Sequence, residues 1–225
     1  MRIGFDIDGV LADFRSAFRD LAQRVLGRAV APEEELRPGD VKRLWEEVAR
    51  TSNWWLDVPA HEPEQLARVY ALARQARWEV FFMTSRPASA GDSVLVQTQV
   101  WLERQGFLLP SVLTIAAGGR GELARMLRLD LMIDDQLLNC VDVVASSNAK
   151  AILLLRGRVD ASLRHTAQSR GIGVVSTLRE SVEVVEHLQD LLKVRKGRLL
   201  RLAEWLNPPE EEGDRLPHDP RQPRS

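Results

Sequence analysis

The sequence predicts an α/β protein, a doubly wound parallel sheet with a small inserted helical segment. Three observations predict it. Short, nearly uninterrupted apolar runs recur along the chain, as expected of strands buried on both faces. Helical patterns separate most of these runs, and strands alternating with helices imply a parallel sheet covered on both sides. The connection between the first and second runs is about seventy residues long and holds no convincing strand, too long for a plain crossover.

The expected strands are Arg2–Ile7, Glu79–Met83, Val112–Ala116, Leu129–Ile133, Ala151–Leu155 and Ile172–Val175. Between the first two, Phe14–Leu26 places Phe14, Phe18, Leu21 and Val25 at helical spacing, and Val41–Ala49 reads as a second helix. Leu66–Arg74, Val94–Arg104 and Glu122–Leu127 read as helices further along. Residues 1–13 and 76–190 are therefore expected to form the core, and residues 14–75 a helical cap. A long helical pattern runs from Ser181 to Leu206, so 191–207 is expected to extend the core as a helix with a surface for self-association. Arg195-Lys196-Gly197-Arg198 interrupts that pattern with a basic patch, read as a solvated helix face. Residues 208–225 are polar and proline-rich and are expected to be a disordered tail.

Of 225 residues, 44% are apolar and 28% charged, with a formal net charge of -1. That balance suits a folded soluble protein and argues against a nucleic-acid polymer or an anionic membrane as the main partner. The single cysteine, Cys140, permits no internal disulfide, which fits a reducing compartment, and it is expected in the core. Two aspartates break the first apolar run, unlike a signal peptide, and no run approaches the roughly twenty apolar residues of a membrane span. A cytoplasmic protein is expected.

Three motifs carry chemistry. Phe5-Asp6-Ile7-Asp8-Gly9-Val10-Leu11-Ala12-Asp13 closes the first strand with two aspartates two residues apart, on one side of it. Carboxylates so close repel, and a divalent cation relieves that repulsion; hard oxygen ligands suit magnesium. The competing readings are an ordinary turn or a calcium loop, but Ile7 and the position of Gly9 do not fit the latter. Met132-Ile133-Asp134-Asp135 ends another apolar strand. One aspartate there would serve as a helix cap; two favour a metal site. Phe81-Phe82-Met83-Thr84-Ser85-Arg86-Pro87 follows a strand with two hydroxyls and a cation, a set able to hold a phosphate, although ordinary turn chemistry gives the same residues.

In order and placement these motifs resemble those of the haloacid-dehalogenase-like phosphohydrolases over about residues 1 to 190. Asp6-x-Asp8 with Gly9-Val10 is similar to the first motif of that superfamily, Thr84 to the second, and Asp134-Asp135 to the fourth. The helical insertion sits where the superfamily carries its C1 cap. Asp6 through Asp13, with Trp54-Trp55 before Pro59, resembles the deoxyribonucleotidase branch most closely. The resemblance implies a strand order that puts Asp6 between Thr84 and Asp134, at the switch point of the sheet. It implies Asp6 as nucleophile and Asp8 as proton donor and acceptor, for which Asp8 must be protonated near neutral pH. It implies magnesium held by Asp6, the Asp8 main-chain carbonyl and Asp135, with Asp134 beside them and bonded to water or a basic residue. The implied partner is a small phosphorylated metabolite, with (deoxy)nucleotides among the candidates.

The third motif of the superfamily, a lysine or arginine, is not plainly present. No lysine lies between Lys42 and Lys150. One placement of the motif falls on Thr98, which cannot serve; the other falls on Arg120, which is preferred, with Arg86 in reserve as a phosphate ligand. Trp54 and Trp55 are read as cap residues able to stack on a substrate ring or, more simply, to pack. His61, His165, His187 and His218 show no metal-binding spacing. The missing lysine also motivates a different class of protein, a weak or inactive relative that binds a phosphorylated ligand or a protein. Phosphoryl transfer to an acceptor other than water uses the same residues.

Overall fold

The computed structural model describes residues 1–189 except 33, 117 and 158–160. The helical extension expected at 191–207, its basic patch and the tail expected at 208–225 lie outside the described residues. Residues 1–184 form one compact unit; in the second unit, residues 185–189 are described and are helical.

Six strands form one parallel sheet: β1 (Arg2–Asp6), β2 (Glu79–Thr84), β3 (Ser111–Thr114), β4 (Leu131–Asp134), β5 (Lys150–Leu154) and β6 (Gly173–Val175). Their order is β3-β2-β1-β4-β5-β6. Each expected strand is present, with ends moved by one or two residues. The chain steps outward from β1 to β2 and β3, then returns to the other side of β1 for β4 to β6. That reversal opens a crevice at the carboxyl ends of β1 and β4. In register, Asp6 lies beside Met83, and Phe5 lies between Phe82 and Ile133. Ile3, Phe5, Phe82, Met83, Met132, Ile133 and Leu153 are buried, which explains why these strands read as continuous apolar runs.

The segment after β1 holds α1 (Phe14–Leu26), α2 (Pro38–Arg50), a short 3-10 turn (Trp54–Asp57) and α3 (Pro63–Ala76). Asp13 starts α1 by accepting a bond from the Ser16 amide at 3.1 Å. An aromatic seam joins α1 to α2: Phe18 lies 4.9 Å from Trp45, and Phe14 lies between Trp45 at 5.8 Å and Trp55 at 6.0 Å.

α3 falls within residues 14–75, the expected cap, and is linked to the sheet through aromatic contacts. Tyr70 packs on Phe107 at 5.2 Å, and Phe107 packs on Phe82 of β2 at 4.7 Å. The parallel pair β1–β2 needs a covering crossover, and α3 supplies it with Leu66, Val69 and Ala73 buried.

Further helices are α4 (Val94–Arg104), α5 (Arg120–Met126), α6 (Leu137–Ser146) and α7 (Ala161–Ser169), and residues 178–189 are also helical. α5 and α6 meet closely at Gly121, where a Cβ would come within 2.2 Å of the Asp142 carbonyl. The Gly121 amide donates to the Asp142 carboxylate at 2.7 Å. This contact fixes the start of α5 and, with it, Arg120.

Candidate active site

β1 delivers Asp6 to the crevice, and the chain then turns tightly. The amides of Leu11 and Ala12 both donate to the Ile7 carbonyl at 2.8 Å, and Gly9 donates to the Ala12 carbonyl at 2.9 Å. Gly9 adopts φ +96°, and a Cβ there would stand 2.1 Å from an Asp135 oxygen. Only glycine satisfies both conditions. The turn therefore lets Asp135, just beyond β4, pack against the loop that carries Asp8.

Arg120 opens α5 after Gly119 and is buried. Its Nη2 donates to Asp6, and its Nε lies 3.5 Å from Asp134. Asp134 is fully enclosed and accepts from the Gln136 amide at 2.8 Å and from the Asn139 amide group at 3.0 and 3.1 Å. Asp6, Asp8, Ser85, Gly118, Arg120, Gln136 and Asn139 line one cavity of about 150 Å³.

Asp8 is held from the other side. Arg86 donates through Nε to both carboxylate oxygens at 3.1 and 2.9 Å, and through Nη2 at 2.8 Å. The Arg86 guanidinium lies over Trp55 at 4.6 Å and near Trp101 at 5.7 Å, and it also donates to Thr98 at 3.3 Å. Trp55 and Trp101 are fixed in turn by bonds to the Pro87 and Val58 carbonyls at 3.0 and 2.7 Å. The buried Thr84 hydroxyl accepts from the Arg86 amide at 3.2 Å and donates to Asp8 at 3.4 Å.

The structure thus gathers Asp6, Asp8, Ser85, Arg120, Asp134 and Asp135 around one crevice, with Thr84 behind Asp8. Arg86, read as a reserve phosphate ligand, has an enclosed side chain that bonds Asp8 and Thr98, and it stands at the edge of the second cavity described next. Trp54 and Trp55 are both buried and pack edge to face at 4.7 Å. Trp55 still forms part of the wall of a second cavity, of about 480 Å³, together with Asp8, Phe14, Arg15, Trp45 and Pro87. Sequence reasoning missed Phe14 and Trp45 as pocket residues, because at helical spacing they read as packing. It also missed Asn139, whose position one turn into α6 after the paired aspartates is a usable signal.

Four carboxylates face two guanidiniums, and the imbalance is visible in protonation. Burial, then the charge of Asp134, pushes Asp6 well above the usual carboxylate range, although Arg120 opposes the shift. Burial also raises Asp134 against its bonds from Gln136 and Asn139. Burial and Asp134 push Asp135 up to about 6.

Three observations show that the residues fit a hard divalent cation. Asp135 Oδ1 is buried with no hydrogen-bond partner. The Asp8 main-chain carbonyl accepts no bond from a described residue. Burial raises the carboxyls of Asp6 and Asp135, and the charge of neighbouring carboxylates adds to it, a repulsion that a cation placed among them relieves. No group of three or more His, Cys, Asp or Glu side chains among the described residues is gathered to hold a metal ion. Two carboxylates and a carbonyl form a smaller set, which relies on water and substrate for the remaining positions.

No protein-family model matches the chain, and no curated protein sequence matches it. Solved structures do. A hydrolase from Pseudomonas syringae is 14% identical, with 84% of this chain and 99% of that one covered at a TM-score of 0.50. A HAD-superfamily hydrolase of subfamily IA, variant 1, from Geobacter sulfurreducens is 11% identical, with 81% and 95% covered at a TM-score of 0.50. The fold is haloacid-dehalogenase-like. In that fold the crevice at the switch point is where Asp6, Asp8, Asp134 and Asp135 stand here. Among the described residues, no helix is long and apolar enough to cross a membrane.

Proposed function

We propose that the chain is a magnesium-dependent phosphomonoesterase that works through an aspartyl phosphate on Asp6. The observation that carries this reading is the meeting of Asp6, Asp8 and Arg120 on one 150 Å³ cavity, with Asp134 behind Arg120. A phosphate-sized group fits there, next to a nucleophile, a proton carrier and a fixed cation.

The ester phosphate enters against the free N–H groups of Arg120 and the exposed Ser85 hydroxyl. An Asp6 oxygen attacks phosphorus as the bond to the leaving oxygen breaks. Asp8 exchanges one of its bonds with Arg86 for the leaving oxygen and gives it a proton. Water then attacks the phosphorus, Asp8 takes its proton, and Asp6 and phosphate are released. Asp6, the Asp8 carbonyl and Asp135 are the residues that would hold magnesium, whose charge would offset the repulsion between the carboxylates and the anionic ester.

The 480 Å³ cavity opens beside Asp8, where the leaving group of the proposed reaction would sit. Its wall of Phe14, Trp45 and Trp55 suits a flat ring, which supports a nucleotide-like ester and the deoxyribonucleotidase-like branch. A second reading is a weak or inactive relative that binds a phosphorylated ligand. The occupation of both Asp8 oxygens by Arg86 favours it.

One experiment separates the two. Phosphate release is measured from a panel of monoesters with magnesium present or chelated, for the wild type and for Asp6→Asn. Release that needs magnesium and is lost in folded Asp6→Asn supports the enzyme. Ligand binding without release from any ester supports the binder.

A further inference from the structure

Arg156, just after β5, takes no place in the carboxylate cluster. Its guanidinium instead spans two successive carbonyls of the loop after the nucleophile: Nη2 donates to Val10 at 2.8 Å and Nε to Gly9 at 3.4 Å. Its Nη1 donates to Glu62 at 2.6 Å. Glu62 stands immediately before α3 and also accepts from the amides of Leu178 at 2.9 Å and Arg179 at 3.1 Å. Burial alone pushes the Glu62 carboxyl up, but these bonds win and hold it below the usual range. The pair is mostly enclosed, with side chains 24% and 17% exposed.

The loop so held is the one on which the chemistry depends. Gly9, at φ +96°, has no side chain to hold its conformation, and Asp135 packs against it. The same loop is tied to the chain returning from the inserted helices: the Asp13 main-chain amide donates to the Pro59 carbonyl at 2.7 Å, and the His61 main-chain amide to the Leu11 carbonyl at 2.9 Å. A guanidinium, with donors in a planar fork, can bridge two carbonyls and a carboxylate at once; an ammonium cannot match that geometry.

We propose that Arg156 and Glu62 are a positioning pair that fixes the Gly9–Val10 backbone and thereby aims Asp8 and seats Asp135. The pair touches neither substrate nor reacting atoms. The inference rests on the phosphomonoesterase reading for its kinetic arm and on the loop geometry alone for its second arm.

The test uses the full chain with Arg156→Met, Arg156→Lys and Glu62→Gln, each assayed well below its own melting temperature. For a minimal aryl phosphate, Arg156→Met is expected to lower kcat about tenfold to a hundredfold while KM stays within about threefold, the signature of misplaced groups rather than lost substrate contact. Arg156→Lys restores part of kcat. Amide hydrogen exchange at Gly9, Leu11 and Ala12 speeds up in Arg156→Met. A bystander brace would lower the melting temperature only, so wild-type kcat and unchanged exchange in folded Arg156→Met overturn the proposal. If the wild type hydrolyses no monoester, the function reading fails by itself, and exchange alone decides the pair. Should Arg156→Met not fold, Glu62→Gln, which keeps its shape and loses its charge, carries the same comparison.

Discussion

At the scale of single residues, Asp135 and Arg120 define what the crevice lacks and what it holds. The Asp135 carboxyl titrates near its ordinary 3.8 when unfolded and at about 6 when folded. Below the lower value it is neutral in both states and costs nothing. As pH rises through that window the unfolded chain ionises first, so the fold loses stability, and the loss is complete above the upper value. Asparagine carries no such cost. With metal chelated, Asp135→Asn should therefore gain on the order of 2–3 kcal/mol of stability near neutral pH and almost nothing near pH 3, as read from denaturant melts at both. Arg120 joins Asp6 to Asp134 and is the buried cation open to the smaller cavity. Arg120→Ala should cost about 2–4 kcal/mol of transition-state stabilisation, read as kcat/KM, and Arg120→Lys should recover part of it. The placement of Arg120 was legible because two alternatives existed and Thr98 is chemically unfit. The burial of Arg86 was not legible. It depends on Trp55 and Trp101 closing over the guanidinium from elements far apart in sequence.

At the scale of elements, the strands were the most legible, since burial on both faces leaves an apolar run that no surface helix shows. The order of the strands came from resemblance and not from the runs themselves. The tie of α3 to the sheet was not legible, because the stack of Tyr70, Phe107 and Phe82 joins residues far apart in sequence. The α1–α2 pair has a different duty. Its seam of Phe14, Phe18 and Trp45 forms one wall of the larger cavity at Phe14 and Trp45. Trp45→Ala should raise KM for a ring-bearing ester about tenfold, and by less for a minimal one, if ring contact contributes at its usual scale. Equal changes in steady-state KM for both esters would remove α2 from substrate selection.

Across residues 1–184, parallel topology converges one strand end from each half of the sheet on the same point, Asp6 from β1 and Asp134 from β4. The acids stored there repel, so a cation that binds the folded state alone should stabilise the whole unit by mass action. Millimolar magnesium is expected to raise the melting temperature, and Asp135→Ala to abolish most of that rise; a wild-type melt indifferent to magnesium would sink the metal site. The closed aromatic environment of Arg86 carries one more consequence. The chain has six tryptophans, and two of them, Trp55 and Trp101, flank the guanidinium that grips Asp8. Indole emission responds to a charge close to the ring, so any event that draws Asp8 away from Arg86 alters the light these two residues give off. The molecule contains its own optical gauge of the Asp8–Arg86 contact, and stopped-flow fluorescence on Trp55→Phe and Trp101→Phe would show which ring reads it.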